Sequence, residues 1–166
     1  FDVTLATETN ASVLGNMPVK TQTEESGKLH TSFETSPKMS TYLLAFVVGE
    51  LQKKSATTKN GVEVNVWATP NQPASSLDFP LDIAVRSIEY YDEYFGTAYP
   101  LPKIYNVALP DFSSGAMENW GAITYRESAL LVDPEHSSAS NKQWVTLVIA
   151  HELAHFSLGH HRKRWF

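Results

Sequence analysis

Near the end of the chain stands His151-Glu152-Leu153-Ala154-His155. Side chains four apart lie on one side of a helix, so the two imidazoles can reach one ion. Zn²⁺ accepts neutral imidazole at about 2.0–2.1 Å in a tetrahedral shell. Glu152 is adjacent to the first histidine in sequence, not stacked with it. That offset suits a base acting on water beside the metal better than a third ligand. Zinc lowers the pKa of the water it holds towards about 7, and a nearby carboxylate takes the proton as that water attacks a carbonyl. The pattern fixes only three positions. Read alone, it fits an exposed or core pair of histidines as well as a metal site.

A second stretch is Gly115-Ala116-Met117-Glu118-Asn119, followed by Trp120-Gly121. It places a carboxylate in a loop flanked by glycines. Glycine lets the backbone approach a ligand closely. Taken by itself, an exposed carboxylate in such a loop is usually only solvated.

The elements that must position these residues are legible in the patterning. Ser140 with Gln143 is a capping-box pair that would open the last helix. Trp144, Leu147, Val148, His151 and His155 then share one broad face, and the apolar run WVTLVIA would bury that helix and make it a rigid base for the histidines. Upstream, Pro80 is expected at the first position of a helix carrying Leu81, Val85, Ile88, Tyr91 and Phe95 at helical spacing, ended by Gly96. Ile104 to Leu109 reads as a strand, Pro110 to Asn119 as a loop, and Ala122 to Tyr125 as a short strand.

The first seventy residues read as antiparallel strands. Phe1, Val3 and Leu5 alternate with polar residues. Ser26-Gly27 is a turn, and Leu29 to Thr35 is the next strand. Tyr42 to Val48 is continuously apolar, and its β-branched and aromatic content favours a buried strand. Asn60-Gly61 is a hairpin signal preceding Val62, Val64 and Val66, which share one face. Thr69 to Pro80 has loop composition and marks a domain boundary, dividing the chain into 1–69 and 70–166. Strands followed by mixed helices and strands give an α+β class.

Composition narrows the function. The chain has 166 residues and a formal net charge of -5, which argues against general nucleic-acid binding; the terminal HHRKRWF is a local basic exception. No stretch is long and apolar enough to cross a membrane. No charged, apolar signal segment opens the sequence, and the first residue is Phe, so the native N-terminus is expected to lie upstream. With no cysteine, disulfides, thiolate zinc sites and cysteine nucleophiles are excluded, and a cytoplasmic setting is expected.

The two motifs together are far more specific than either alone. GAMEN upstream of HELAH resembles the gluzincin zinc aminopeptidase family, in particular its aminopeptidase N branch and the bacterial cytosolic type most of all. The longer GAMENWGAITYRESALL, the segments FDVTL and MSTYLLAFVVGEL, and the separation of 33 positions between Glu118 and His151 are also similar to that family. The resemblance runs from about residue 1 to residue 155. It implies the end of an antiparallel β-sandwich domain followed by the start of a thermolysin-like zinc catalytic domain. It also implies that His151 and His155 bind one Zn²⁺, that Glu152 is the general base, and that Glu118 binds the free α-amine of a peptide. Gly115 and Ala116 would offer backbone groups to that peptide, and Met117 and Asn119 are expected to be substrate-binding with them. Trp120 is expected to pack. The implied activity is removal of N-terminal residues from peptides with a free N-terminus.

After His155 the sequence departs from the family. The family continues His-Gln-Trp-Phe-Gly-Asn; here Phe156-Ser157-Leu158-Gly159-His160 follows. The family's third zinc ligand is a glutamate on the next helix, past Phe166, and its intermediate-stabilising tyrosine lies further on. On this reading the third ligand is absent from the chain, and the 166 residues alone would be inactive. Two alternatives stand beside it. One is a metzincin-like endopeptidase using His161, although that pattern wants glycine at the place of Leu158. The other is a non-catalytic β-rich binding module in which both motifs are inert.

Overall fold

The computed structural model describes residues 1–159, with side chains to Phe156. It is an α+β arrangement of three sheets and three α-helices among the described residues. β1 (Thr4–Thr7), β3 (Val19–Glu25) and β4 (Lys28–Phe33) form one antiparallel sheet in the order β1-β4-β3. Ser26 and Gly27 make the β3–β4 turn with φ of 51° and 76°. Two consecutive positive φ angles match the right-handed twist of the strands they join. β2 (Ser12–Gly15) pairs with β5 (Phe46–Gly49) in a second, two-stranded sheet.

The third sheet positions the site. β6 (Gln52–Thr57), β7 (Glu63–Ala68), β8 (Lys103–Leu109), β9 (Ala116–Met117) and β10 (Ala122–Arg126) lie in the order β6-β7-β8-β10-β9. β8 runs parallel to both β7 and β10, while the outer pairs are antiparallel. One face carries Val64, Val66, Ile104, Ala108, Ile123 and Tyr125, all fully buried. Against it pack α1 (Asp78–Phe95) and α3 (Ala139–Gly159), with α2 (Glu127–Leu130) beside α3. The Tyr91 hydroxyl donates to the Ala150 carbonyl at 2.9 Å and ties α1 to α3.

Several expectations change at this level. The composition break at Thr69 to Pro80 falls inside this sheet, because β7 before it bonds to β8 after it from Glu63↔Lys103 to Trp67↔Val107. Tyr42 to Val48 is not one buried strand. Thr41–Leu43 is a 3-10 turn, and Tyr42, Phe46 and Val48 are each about half exposed or more. Asn60-Gly61 does turn the chain, but only Gly61 uses positive φ, at 86°. Helix α1 begins two residues before Pro80, which its first turn tolerates because those N–H groups have no helical acceptor. Gly96 ends it at φ 62° as expected. The expected loop Pro110 to Asn119 contains β9.

Helix α3 also differs. The cap is Ser138, whose Oγ accepts the Asn141 N–H at 3.2 Å; the Ser140/Gln143 pair does not open the helix. The expected single face splits in two. Val145, Ile149, Leu153 and Phe156 face the core, whereas Trp144, Leu147, His151 and His155 form an exposed stripe on the other side. An almost uniformly apolar run has no strong amphipathic direction, so packing rather than pattern decided which side was buried.

Candidate active site

Helix α3 and the edge of the third sheet bring both motifs together. On α3, one turn separates the two histidines, and their Nε2 atoms lie 3.2 Å apart. Two ligands of a tetrahedral Zn²⁺ at about 2.05 Å stand roughly 3.3 Å from each other. The imidazoles therefore already hold the separation that shared coordination requires. Both are exposed and open to an incoming ion.

Glu152 is only 7% exposed, and one of its carboxylate oxygens lies within 4.8 Å of a His155 ring nitrogen. Its Oε2 is buried without a hydrogen-bond partner. Burial pushes the Glu152 carboxyl above the ordinary glutamate value, His151 opposes that rise, and Glu118 adds to it. A buried carboxylate with an unused oxygen beside two histidines is costly to keep unless something fills the remaining valence. Tyr125 lies close beneath it. Burial first, and then the Glu152 and Tyr99 charges, push the Tyr125 phenol well above its ordinary value, so it stays a protonated donor. That hydroxyl donates to Asn106 Oδ1 at 3.0 Å.

Glu118 arrives from the sheet edge. β9 pairs with β10 through Thr124↔Met117 and Tyr125↔Ala116, which puts Ala116 and Met117 on the outermost strand, in contact with α3. Glu118 follows directly. One ligand atom from each of Glu118, Glu152 and His155 lies within 4.8 Å of the others. That trio could also hold a cation. The His151–His155 pair is the better zinc chelate, because its spacing matches the tetrahedral edge, whereas the trio is bounded only by a wider distance.

The rest of the loop is held from several sides. The Gly115 carbonyl accepts the Arg126 N–H at 2.9 Å, and the Arg126 guanidinium donates to the carbonyls of Phe112 and Ser113 at 2.9 and 2.6 Å. Gly115 is exposed, and a Cβ placed there would meet nothing within 4 Å, so the backbone is open on that side. Asn119 is buried; its Oδ1 accepts from Thr124 Oγ1 at 3.0 Å, and its Nδ2 donates to the Leu43 and Tyr42 carbonyls at 3.4 and 3.5 Å. Met117 is half-buried. Trp120 stacks on Phe156 at 6.3 Å between ring centroids and 11° between planes, joining the loop to α3 by packing. His160 and His161 lie outside the described residues.

Sequence reasoning missed the supports. Lys103, Asn16 and Tyr125 sit under the site, yet Asn16 is 104 positions from the Trp120 carbonyl that it binds. No local pattern signals such a partner. The one available hint was a lysine at the head of a mostly apolar strand.

The chain is similar to known proteins over most of its length. Residues 79–161 match the Peptidase family M1 domain, and residues 1–43 match the Peptidase M1 N-terminal domain. Aminopeptidase N of Lactococcus lactis subsp. cremoris is 63% identical over 123 residues, covering 74% of this chain and 14% of that protein. Aminopeptidase N of Lactococcus lactis subsp. lactis is 56% identical over 158 residues, 93% of this chain and 18% of the relative. The puromycin-sensitive aminopeptidase of Caenorhabditis elegans is 51% identical over 161 residues, 96% of this chain and 17% of the relative. The chain thus spans less than a fifth of the length of these relatives. With the M1 domain pattern matching half of its residues and the N-terminal pattern before it, the chain belongs to peptidase family M1.

Proposed function

We propose that the parent protein is a zinc-dependent aminopeptidase, and that this chain carries the base, two metal ligands and the amine-binding loop of its active site. The observation that carries the reading is the convergence of the Glu118 and Glu152 carboxylates on the His155 imidazole, with His151 Nε2 3.2 Å from that of His155. The relatives' names, Aminopeptidase N and puromycin-sensitive aminopeptidase, support the reaction class.

His151 and His155 would hold one Zn²⁺, which when bound supplies Lewis acidity towards water and the scissile carbonyl. Glu152 takes a proton from the attacking water and returns it to the leaving amine. Its raised affinity for a proton suits that double role. Glu118 receives the α-ammonium of the peptide in a charge-assisted contact. Fixing the amine at one end sets the first peptide bond against the base, so one residue is removed at a time. The open backbone at Gly115 and Ala116 lies along the edge strand, where an extended peptide can align. Met117 and Asn119 shape and hold this loop.

In this reading residues after about Gln52 begin a thermolysin-like catalytic domain, and the preceding strands end an N-terminal β-domain. The third metal ligand comes from sequence beyond that described. The cysteine-free composition supports a cytoplasmic setting. The test uses the full-length parent. Stoichiometric zinc, cleavage of a free-amine peptide, no cleavage of its N-acetylated form, and a large loss of turnover in Glu118→Ala are expected. Equal turnover of acetylated and free peptide would overturn the assignment of Glu118.

A further inference from the structure

Among the described residues no hydrogen bond or ion pair holds the Glu118 carboxylate itself. Its position is therefore set by the backbone on either side. On the upstream side, β9 is paired to β10. On the downstream side the backbone bends at Gly121, with φ 81°. Here two consecutive carbonyls accept from buried side chains distant in sequence, and the second, that of Gly121, also accepts the Tyr105 N–H at 3.1 Å. Asn16 Nδ2 donates to the Trp120 carbonyl at 2.9 Å and to the Leu43 carbonyl at 2.8 Å, while Asn16 Oδ1 accepts the Ala45 N–H at 2.9 Å. Lys103 Nζ donates to the Gly121 carbonyl at 2.7 Å and to the Gly15 carbonyl at 2.6 Å. It also sits 3.5 Å from the centroid of the Tyr105 ring.

Lys103 is 2% exposed and Asn16 is 5% exposed. A buried amine is expensive, and an apolar side chain of similar length would stabilise the strand as well or better. What an apolar residue cannot do is hold two carbonyls in fixed directions. Both carbonyls matter here: one belongs to Gly15, the last residue of β2, and the other lies three residues beyond Glu118. We propose that Lys103 and Asn16 form a positioning latch, which uses the segment around Gly15 and Leu43 as a fixed platform and so holds Glu118 at the distance from α3 that amine recognition requires. The latch rests on the reading of Glu118 as the amine-binding carboxylate. It assigns the strands before β6 a part in substrate recognition, although none of their side chains reaches the metal ligands.

The test measures amine recognition apart from metal binding. Two metal-directed inhibitors are compared on the full-length enzyme: leucine hydroxamate, which carries the α-amine, and 4-methylpentanohydroxamate, which lacks it. The unmodified enzyme is expected to prefer the amine-bearing compound. Lys103→Met and Asn16→Ala are each expected to cut that preference by about tenfold, as small misplacement of a binding group does, and to leave affinity for the amine-free compound and zinc content unchanged. Lys103→Arg, which keeps donors at the site, should retain part of the preference. If either Lys103→Met or Asn16→Ala folds, holds zinc and keeps the full preference, the latch is wrong. Parallel weakening of both inhibitors also overturns it, since that marks general loosening. If the unmodified enzyme shows no preference, the Glu118 assignment falls first and the latch with it. Should Lys103→Met not fold, Asn16→Ala decides alone.

Discussion

Gly121→Ala is the sharpest perturbation this structure offers. Gly121 has φ 81°, in the left-handed region. A Cβ there would sit 2.2 Å from the Asn16 carbonyl oxygen and 2.9 Å from Leu101 Cδ1. The left-handed backbone alone costs a non-glycine residue about 1–2 kcal/mol. The contact with Leu101 can be relieved by a rotamer change, but the contact with Asn16 is with backbone. Relief requires the two segments to part by roughly 1 Å, and overpacking of that kind costs about 1–3 kcal/mol. Parting them stretches the Asn16 bond to the Trp120 carbonyl, and a typical hydrogen bond is worth about 1 kcal/mol. The expected total is about 3–6 kcal/mol. For a domain of this size each kcal/mol moves the melting temperature by about 2–4 °C, so the unfolding transition that accompanies activity loss should fall by about 6–24 °C. Scanning calorimetry of the full-length protein, with residual activity followed in parallel, reads this. A shift under about 2 °C with unchanged kinetics would show that the loop relaxes without cost. The close packing argued for Gly121 and Asn16 would then be incorrect.

Two further outcomes follow from the site. Glu152→Gln should keep zinc bound while turnover falls by about 10²–10⁴-fold, because the variant keeps the shape and loses the proton acceptor; metal analysis with single-turnover kinetics checks it, and loss of zinc with a normal rate per bound metal would make Glu152 a ligand instead. Asp133 Oδ1 accepts the N–H groups of Glu135 and His136 at 2.8 and 2.9 Å, and these amides hold its carboxyl below the ordinary aspartate value. A carboxyl depressed in the folded state contributes stability that is present above the unfolded-state value and is lost as pH falls through the folded one. The acid-unfolding curve of Asp133→Asn should therefore flatten in that window and converge with the unmodified protein at lower pH.

Local signals in the sequence were sufficient for much of the frame. The Ser26-Gly27 turn, the Gly61 turn, the Gly96 helix end and the β8 and β10 strands depend on φ preferences and period-two patterning, which neighbours in sequence set. The pairing of His151 with His155 depends only on helical geometry. The association of those histidines with Glu118 could be inferred only through the family resemblance of the two motifs. Nothing in local physics brings a carboxylate 33 positions upstream to the same place. The tertiary structure did that, by making Ala116 and Met117 an edge strand against α3. It also decided which side of α3 is buried, since Trp144 and Val145 are both apolar and only the packing of α1 and the sheet distinguishes them. Division of the chain at its proline-rich stretch was a reading of composition, and hydrogen bonds between β7 and β8 cross that stretch. The supports of the loop lay deepest. Lys103 and Asn16 act on carbonyls 18 and 104 positions away, and a hydrogen bond to a main-chain carbonyl is indifferent to the side chain that follows it, so the amino-acid pattern carries no trace of the partner.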